Sequence, residues 1–154
     1  MNAILTSIIA VAGTLLGSTL THLFQQRTAR RTERAAREER VRQRRLDAYG
    51  VYAGLLVEFR QAMLHHWFCL HDGQDAGDEV ELRKLSFELR SSTQHALFQV
   101  QLVTEEPTLL DAATEAFRAV GKIDRAKELP DLIARRDATR ELIDTFVATA
   151  RVHV

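Results

Sequence analysis

The feature that most constrains this chain is an abrupt change of solvent near residue 25. Residues 3–24 carry no charged side chain, and residues 25–45 then carry nine arginines against three acids, a net of +6. A helix of 22 residues is about 33 Å long, enough for a hydrocarbon core of roughly 30 Å. The spacing of charge therefore predicts a membrane-spanning helix over 3–24. A cleaved leader is the poorer reading. It needs positive charge before its apolar core and a small-residue cleavage site after it, whereas here the charge follows the core in "THLFQQR". Because basic residues collect on the cytoplasmic flank, the N-terminus is expected outside and the remainder in the cytoplasm of a single-pass cell-membrane protein.

Within the expected span, Ala10, Gly13, Gly17 and Thr21 share one helical face. The G-x-x-x-G pair lets two helices approach closely, which would suit a homodimer or another membrane protein. Gly and Ala are also frequent in membrane helices that pair with nothing.

The basic tract over 25–45 contains neither Gly nor Pro and is rich in helix formers. Opposite charges recur four residues apart, as in Glu33 and Arg37, so the helix is expected to run on from Ala3 to about Leu70. An upright helix brings only Arg27, Arg30 and Arg31 near lipid headgroups, because attraction to an anionic surface fades within about 8 Å. A flat helix would engage all nine, but its only apolar residues are Ala29, Ala35, Ala36 and Val41, too weak a face to insert. The distal arginines, Arg34, Arg37, Arg40 and Arg44 among them, are left for a neighbouring chain or for nucleic-acid phosphate. Binding to phosphate would be salt-dependent and non-specific, since no base-reading constellation accompanies them. A solvated stalk that fixes topology is the plainer role.

Residues 46–154 hold 12 basic and 18 acidic residues, so the neutral total conceals two opposite blocks. Tyr49, Ala53, Leu56, Met63, Trp67 and Leu70 recur at steps of three and four, with Arg60 filling one step. "HDGQDAGDE" over 71–79 reads as a loop. Leu82, Leu85, Leu89, Ala96, Val100 and Val103 mark a second helix. Pro107 suits the first turn of a third, with Leu110, Ala113, Phe117 and Val120 on its apolar face. Pro130 marks a restart, after which Leu132, Ile133, Ile143, Phe146, Val147 and Ala150 build the last helix. No segment alternates with period two. The predicted fold is all-α: an N-terminal transmembrane helix continuing into a long basic helix (25–45), then a small antiparallel cytoplasmic helical bundle (46–154). Phe59, Trp67, Phe68, Phe87, Phe98, Phe117 and Phe146 are available for its core.

Chemistry is harder to find. His65, His66 and Cys69 sit at ligand spacing in "HHWFCLH", but no second helix offers a matching pair for a structural zinc site. Asp72, Asp75, Asp78, Glu79 and Glu81 lack the alternation, the central glycine and the closing Glu of a calcium loop. Ser86, Ser91 and Ser92 have no evident base partner, and no nucleophile-elbow, phosphate-loop or zincin motif occurs. The single Cys69 makes no internal disulfide. Neither an enzyme, a metal nor a cofactor is expected.

The run from Ile9 to Gly17, the tract over 25–45, and Arg45, Ala48, Tyr49 and Tyr52 together resemble a family of small actinobacterial single-pass membrane proteins. Members pair an "IAVxGTLxG" anchor with an Arg-rich helix and an "RxxAYxxF" lead into a helical tail. The resemblance covers about the first 60 residues and is to proteins of the KilB type. It implies the anchor, an actinobacterial source and a link to plasmid spread between Streptomyces hyphae, and carries over no catalytic residue; with no reaction motif in the chain, the expected role is non-enzymatic, by protein interaction. The alternative is a membrane-tethered, non-specific nucleic-acid-binding module built on the arginine helix. The stalk subunit b of bacterial ATP synthase has a similar anchor and charged helix, but this chain departs from it after Leu70, where loops and prolines fold it back.

Overall fold

The structure, a computed structural model, describes residues 32–71 and 79–154 with their side chains, and the backbone alone at 2–31, 72 and 76–78. It is all-helical, with no strand among the described residues. Four helices follow in order: α1 (Asn2–Asp72), α2 (Ala76–Val103), α3 (Pro107–Val120) and α4 (Leu129–Val152), with a 3-10 turn (Ile123–Arg125) between the last two. The chain divides into two units, Met1–Val41 and Arg42–Val154. In the first, residues 32–41 are helical and exposed. The second is a helical bundle in which the distal part of α1 meets the other three helices.

The expected span over 3–24, with Ala10, Gly13, Gly17 and Thr21, lies outside the residues described with side chains, as do Arg27, Arg30 and Arg31. Among the described residues no helix is long and apolar enough to cross a membrane.

In the bundle, α1 supplies the largest buried side chains. Tyr52, Leu56 and Phe59 are almost wholly enclosed, and Met63 and Trp67 continue the same stripe. The Tyr52 ring stands edge-on to Phe146 of α4, with centroids 5.1 Å apart, and its hydroxyl donates to the Ala113 carbonyl of α3 at 2.7 Å. Phe59 lies 6.0 Å from Phe117 of α3. Trp67 Nε1 donates to the Ala126 carbonyl, 2.7 Å away, just past the 3-10 turn. One helix thus carries aromatic anchors to α3, to α4 and to the segment after the 3-10 turn; Tyr52 and Trp67 each combine large apolar area with a polar tip that finds a partner.

Arg60 interrupts the apolar stripe for a reason visible only here. It reaches α4, where Nε donates to Thr139 Oγ1 at 3.2 Å and an Nη donates to the Arg136 carbonyl at 3.0 Å. Burial, then the charges of Arg136 and Arg140, pull its pKa down from the ordinary value.

Pro107 and Pro130 both stand in the first turn of their helices, where a missing N–H costs nothing. The loop expected over 71–79 is shorter than its composition implied: α1 runs to Asp72 and α2 begins at Ala76. Glu79, in the first turn of α2, suits a helix N-terminus, where the macrodipole favours negative charge.

The aromatic core is smaller than expected. Phe59, Trp67, Phe117 and Phe146 are buried, whereas Phe68, Phe87 and Phe98 are exposed. On α2, Phe87 and Phe98 lie off the face that turns inward. Its buried side chains are Ser86, Thr93, Ala96, Leu97 and Val100, and Leu85 turns to solvent. Thr93 is accepted inside because its hydroxyl sits 2.7 Å from the Leu89 carbonyl and 3.3 Å from that of Leu55 on α1. A hydroxyl reaching a neighbouring backbone requires the two helices to lie close at this point. On α4, Leu132, Ile143, Phe146 and Ala150 are buried, but Ile133 and Val147 are exposed.

Candidate functional site

Two regions hold polar groups that the core does not use. One is the basic flank. Arg34, Arg37, Arg40 and Arg44 are all exposed. The other is a cleft of about 390 Å³ in the bundle, walled by α1, α2 and the 3-10 turn.

The cleft is built from helical spacing. Arg83, Ser86 and Arg90 stand three and four residues apart, hence on one face of α2. Phe59, Met63, His66 and Leu70 recur the same way on α1. Asp124 and Arg125 come from the 3-10 turn, and Phe87 and Glu79 from α2. Three arginines, two carboxylates and a histidine thus line the cleft together with the apolar Phe59, Met63, Leu70 and Phe87.

Two polar atoms in this lining are unsatisfied. Ser86 is buried to 8 % exposure, and neither its Oγ nor His66 Nδ1 has a hydrogen-bond partner. Leaving such a group unpaired costs about 1–3 kcal/mol. Arg90 is partly engaged: its guanidinium lies 5.9 Å from the Phe117 ring centroid and close to Gly121, at the C-terminal end of α3. Stacking and the helix dipole both favour a cation there. Among the described residues, Arg83 and Arg125 make no ion pair and no side-chain hydrogen bond.

A second groove, of about 540 Å³, lies between α3 and α4. Its lining carries charges of both signs, including Glu115, Arg118 and Lys122, beside Ala119, Ala138 and Leu142. Arg135 is already taken there, bonding to Asp131 at 2.8 Å and to the Lys122 carbonyl at 3.2 Å.

The "HHWFCLH" segment is dispersed by the fold. His65 is exposed, His66 turns to the cleft and Cys69 is buried. Trp67 is buried and stacks on His71 at 3.9 Å, with His71 Nδ1 2.9 Å from the Trp67 carbonyl. Among the described residues no three His, Cys, Asp or Glu side chains converge.

The cleft was not legible as a site in the sequence. Its one local signal is the polar trio Arg83, Ser86 and Arg90 at helical spacing. Its partners, His66 and Arg125, come from far along the chain.

Residues 46–154 match the model of a family described as KilB plasmid transfer protein. The chain belongs to the KilB family. The match spans the bundle and every residue of the cleft. It shares only residues 46–60 with the stretch on which the sequence resemblance rested, so it is carried largely by the helical tail. KilB membership connects the chain with plasmid transfer. No curated protein and no solved structure matches it.

Proposed function

We propose that the chain is a non-enzymatic, single-pass membrane protein that serves plasmid transfer through protein contacts made by its cytoplasmic bundle. The observation that supports the plasmid-transfer part of this reading is the family match over 46–154, which lies within the helical unit Arg42–Val154. Residues 3–24 supply the anchor, and Arg27, Arg30 and Arg31 hold its cytoplasmic end at the headgroups. Ala10, Gly13, Gly17 and Thr21 form a packing face for a second copy or another membrane protein. The test is plasmid spread by a strain lacking the coding sequence. The full chain should restore spread, and a chain lacking residues 1–24 should not. Full restoration by the shortened chain would remove the anchor from the mechanism. Gly13→Ile and Gly17→Ile should weaken self-association in a membrane reporter, and unchanged association would remove that face.

The exposure of Arg34, Arg37, Arg40 and Arg44 favours a second reading, in which the tethered chain holds nucleic acid by phosphate contacts. DNA retention by the full chain should then fall steeply with salt and disappear when these four become Gln. Absence of retention at low salt would sink it.

A further inference from the structure

We propose that the cleft walled by α1, α2 and the 3-10 turn binds a small amphipathic oxyanion, its head held by Arg83, Arg125 and Ser86 and its apolar part against Phe59, Met63 and Phe87. This inference is independent of the membrane and nucleic-acid readings above.

Four observations converge on it. The cleft, at about 390 Å³, lies within the range of roughly 300–1,000 Å³ typical of small-molecule sites. Ser86 is more than nine-tenths buried in its wall and its hydroxyl has no acceptor, a donor that an oxyanion would satisfy. His66 Nδ1, equally without a partner, donates to the same head when it carries the hydrogen. Arg83 and Arg125 are cations without a described carboxylate partner, and a guanidinium fork matches a carboxylate or phosphate in two parallel bonds.

The register fixes where the head sits. On α2, Arg83 and Arg90 stand about 10 Å apart along the axis, with Ser86 between them. Arg90 is held back by Phe117 and the end of α3, so Arg83 and Arg125 are the available pair. Glu79 and Asp124 also line the cleft and set an opposing charge, which disfavours a bare polyanion. The apolar floor disfavours a fully hydrated one. A single oxyanion head on an apolar body meets both conditions, and a wholly apolar ligand leaves Ser86 unpaired.

The experiment is calorimetric titration of the full chain in phosphatidylcholine nanodiscs, with empty nanodiscs as the reference. Probes are phenyl phosphate, phenylacetate, inorganic phosphate and benzyl alcohol at low salt. One molecule of phenyl phosphate or phenylacetate should bind with a Kd of about 1 mM or tighter; the stronger of the two identifies the head. Inorganic phosphate and benzyl alcohol, each lacking one half of the ligand, should bind at least about tenfold more weakly. Arg83→Gln with Arg125→Gln should weaken the better probe by about tenfold or more, and Ser86→Ala by about fivefold. Arg118→Gln with Arg151→Gln, outside the cleft, should leave it unchanged. Thermal melts of each variant confirm folding, and if the arginine pair fails to fold, Ser86→Ala alone decides. Absence of binding by both aromatic anions, equal binding by inorganic phosphate, or equal loss in the Arg118 and Arg151 variant overturns the proposal.

Discussion

The two buried tyrosines of α1 offer a matched pair in which removal of the same atom should move stability in opposite directions. Tyr52 is wholly enclosed and its hydroxyl donates to the Ala113 carbonyl at 2.7 Å. Tyr49, one turn earlier and 4 % exposed, has a buried hydroxyl with no partner. Both rings stand edge-on to Phe146, at 5.1 Å and 6.4 Å, so replacement by Phe keeps the aromatic contacts and changes only the oxygen. A satisfied buried hydrogen bond contributes about 1 kcal/mol net, and Tyr52→Phe should therefore destabilise by about 1 kcal/mol. An orphaned buried hydroxyl carries a desolvation cost of about 1–3 kcal/mol, part of which Tyr49→Phe should return as added stability. Trp67 is the only tryptophan and is buried in the same unit, so its fluorescence reports unfolding in urea directly. Midpoints should shift in opposite directions with unchanged slopes, because neither change alters the surface exposed on unfolding. A stabilising Tyr52→Phe, or a Tyr49→Phe that destabilises by about 1 kcal/mol, would refute the assignment of partners.

Burial pushes the Tyr52 phenol far above its ordinary value. The neutral form is the one folded, so its contribution is complete below about pH 10 and lost as pH rises further. Tyr52→Phe should flatten this alkaline decline by up to about 1.4 kcal/mol per pH unit in a urea series at high pH. Trp67→Phe removes the bond to Ala126 and shortens the stack on His71; circular dichroism should show a loss of about 2 kcal/mol, and a neutral result would contradict its anchoring role. Arg60→Met keeps the apolar stem but drops two bonds to α4, for an expected cost of about 1 kcal/mol by thermal melt. The Arg135 hydrogen bond holds the Asp131 carboxyl below its usual range. Its contribution is present above about pH 4 and fades on acidification, so Asp131→Asn should show a slightly flatter acid limb than the parent chain.

The helices themselves were readable because period and punctuation agree. Apolar steps of three and four mark the face of α1: Tyr49, Leu56, Met63 and Trp67 are buried and Ala53 packs against the core, while Leu70, near the end of the helix, is exposed. Pro107 and Pro130 mark two helix starts by chemistry local to the residue. On α2 the expected face is largely the inward one: Ala96 and Val100 are buried, Leu89 and Val103 pack against the core, and Leu85 is the exposed member of the set. Leu85 and Phe87 face out, while Ser86 and Thr93 join Leu97 and Val100 inside. Periodicity weighs apolar residues alone. It cannot register that a Leu55 carbonyl, 38 residues away in sequence, waits to receive a threonine hydroxyl.

The sequence by itself determined an all-helical chain, the places where helices break and the separation of a basic block from an acidic one. Each follows from forces acting within a few residues: side-chain entropy, proline sterics and the spacing of charge along one helix. Only the tertiary structure decided that Ser86 and Thr93 join the buried face of α2, why Arg60 belongs in an apolar stripe, and that His66, Ser86 and Arg125 share one cleft. These depend on donors and acceptors brought together from remote segments. The cost of burying a polar group is settled by the partner it meets there.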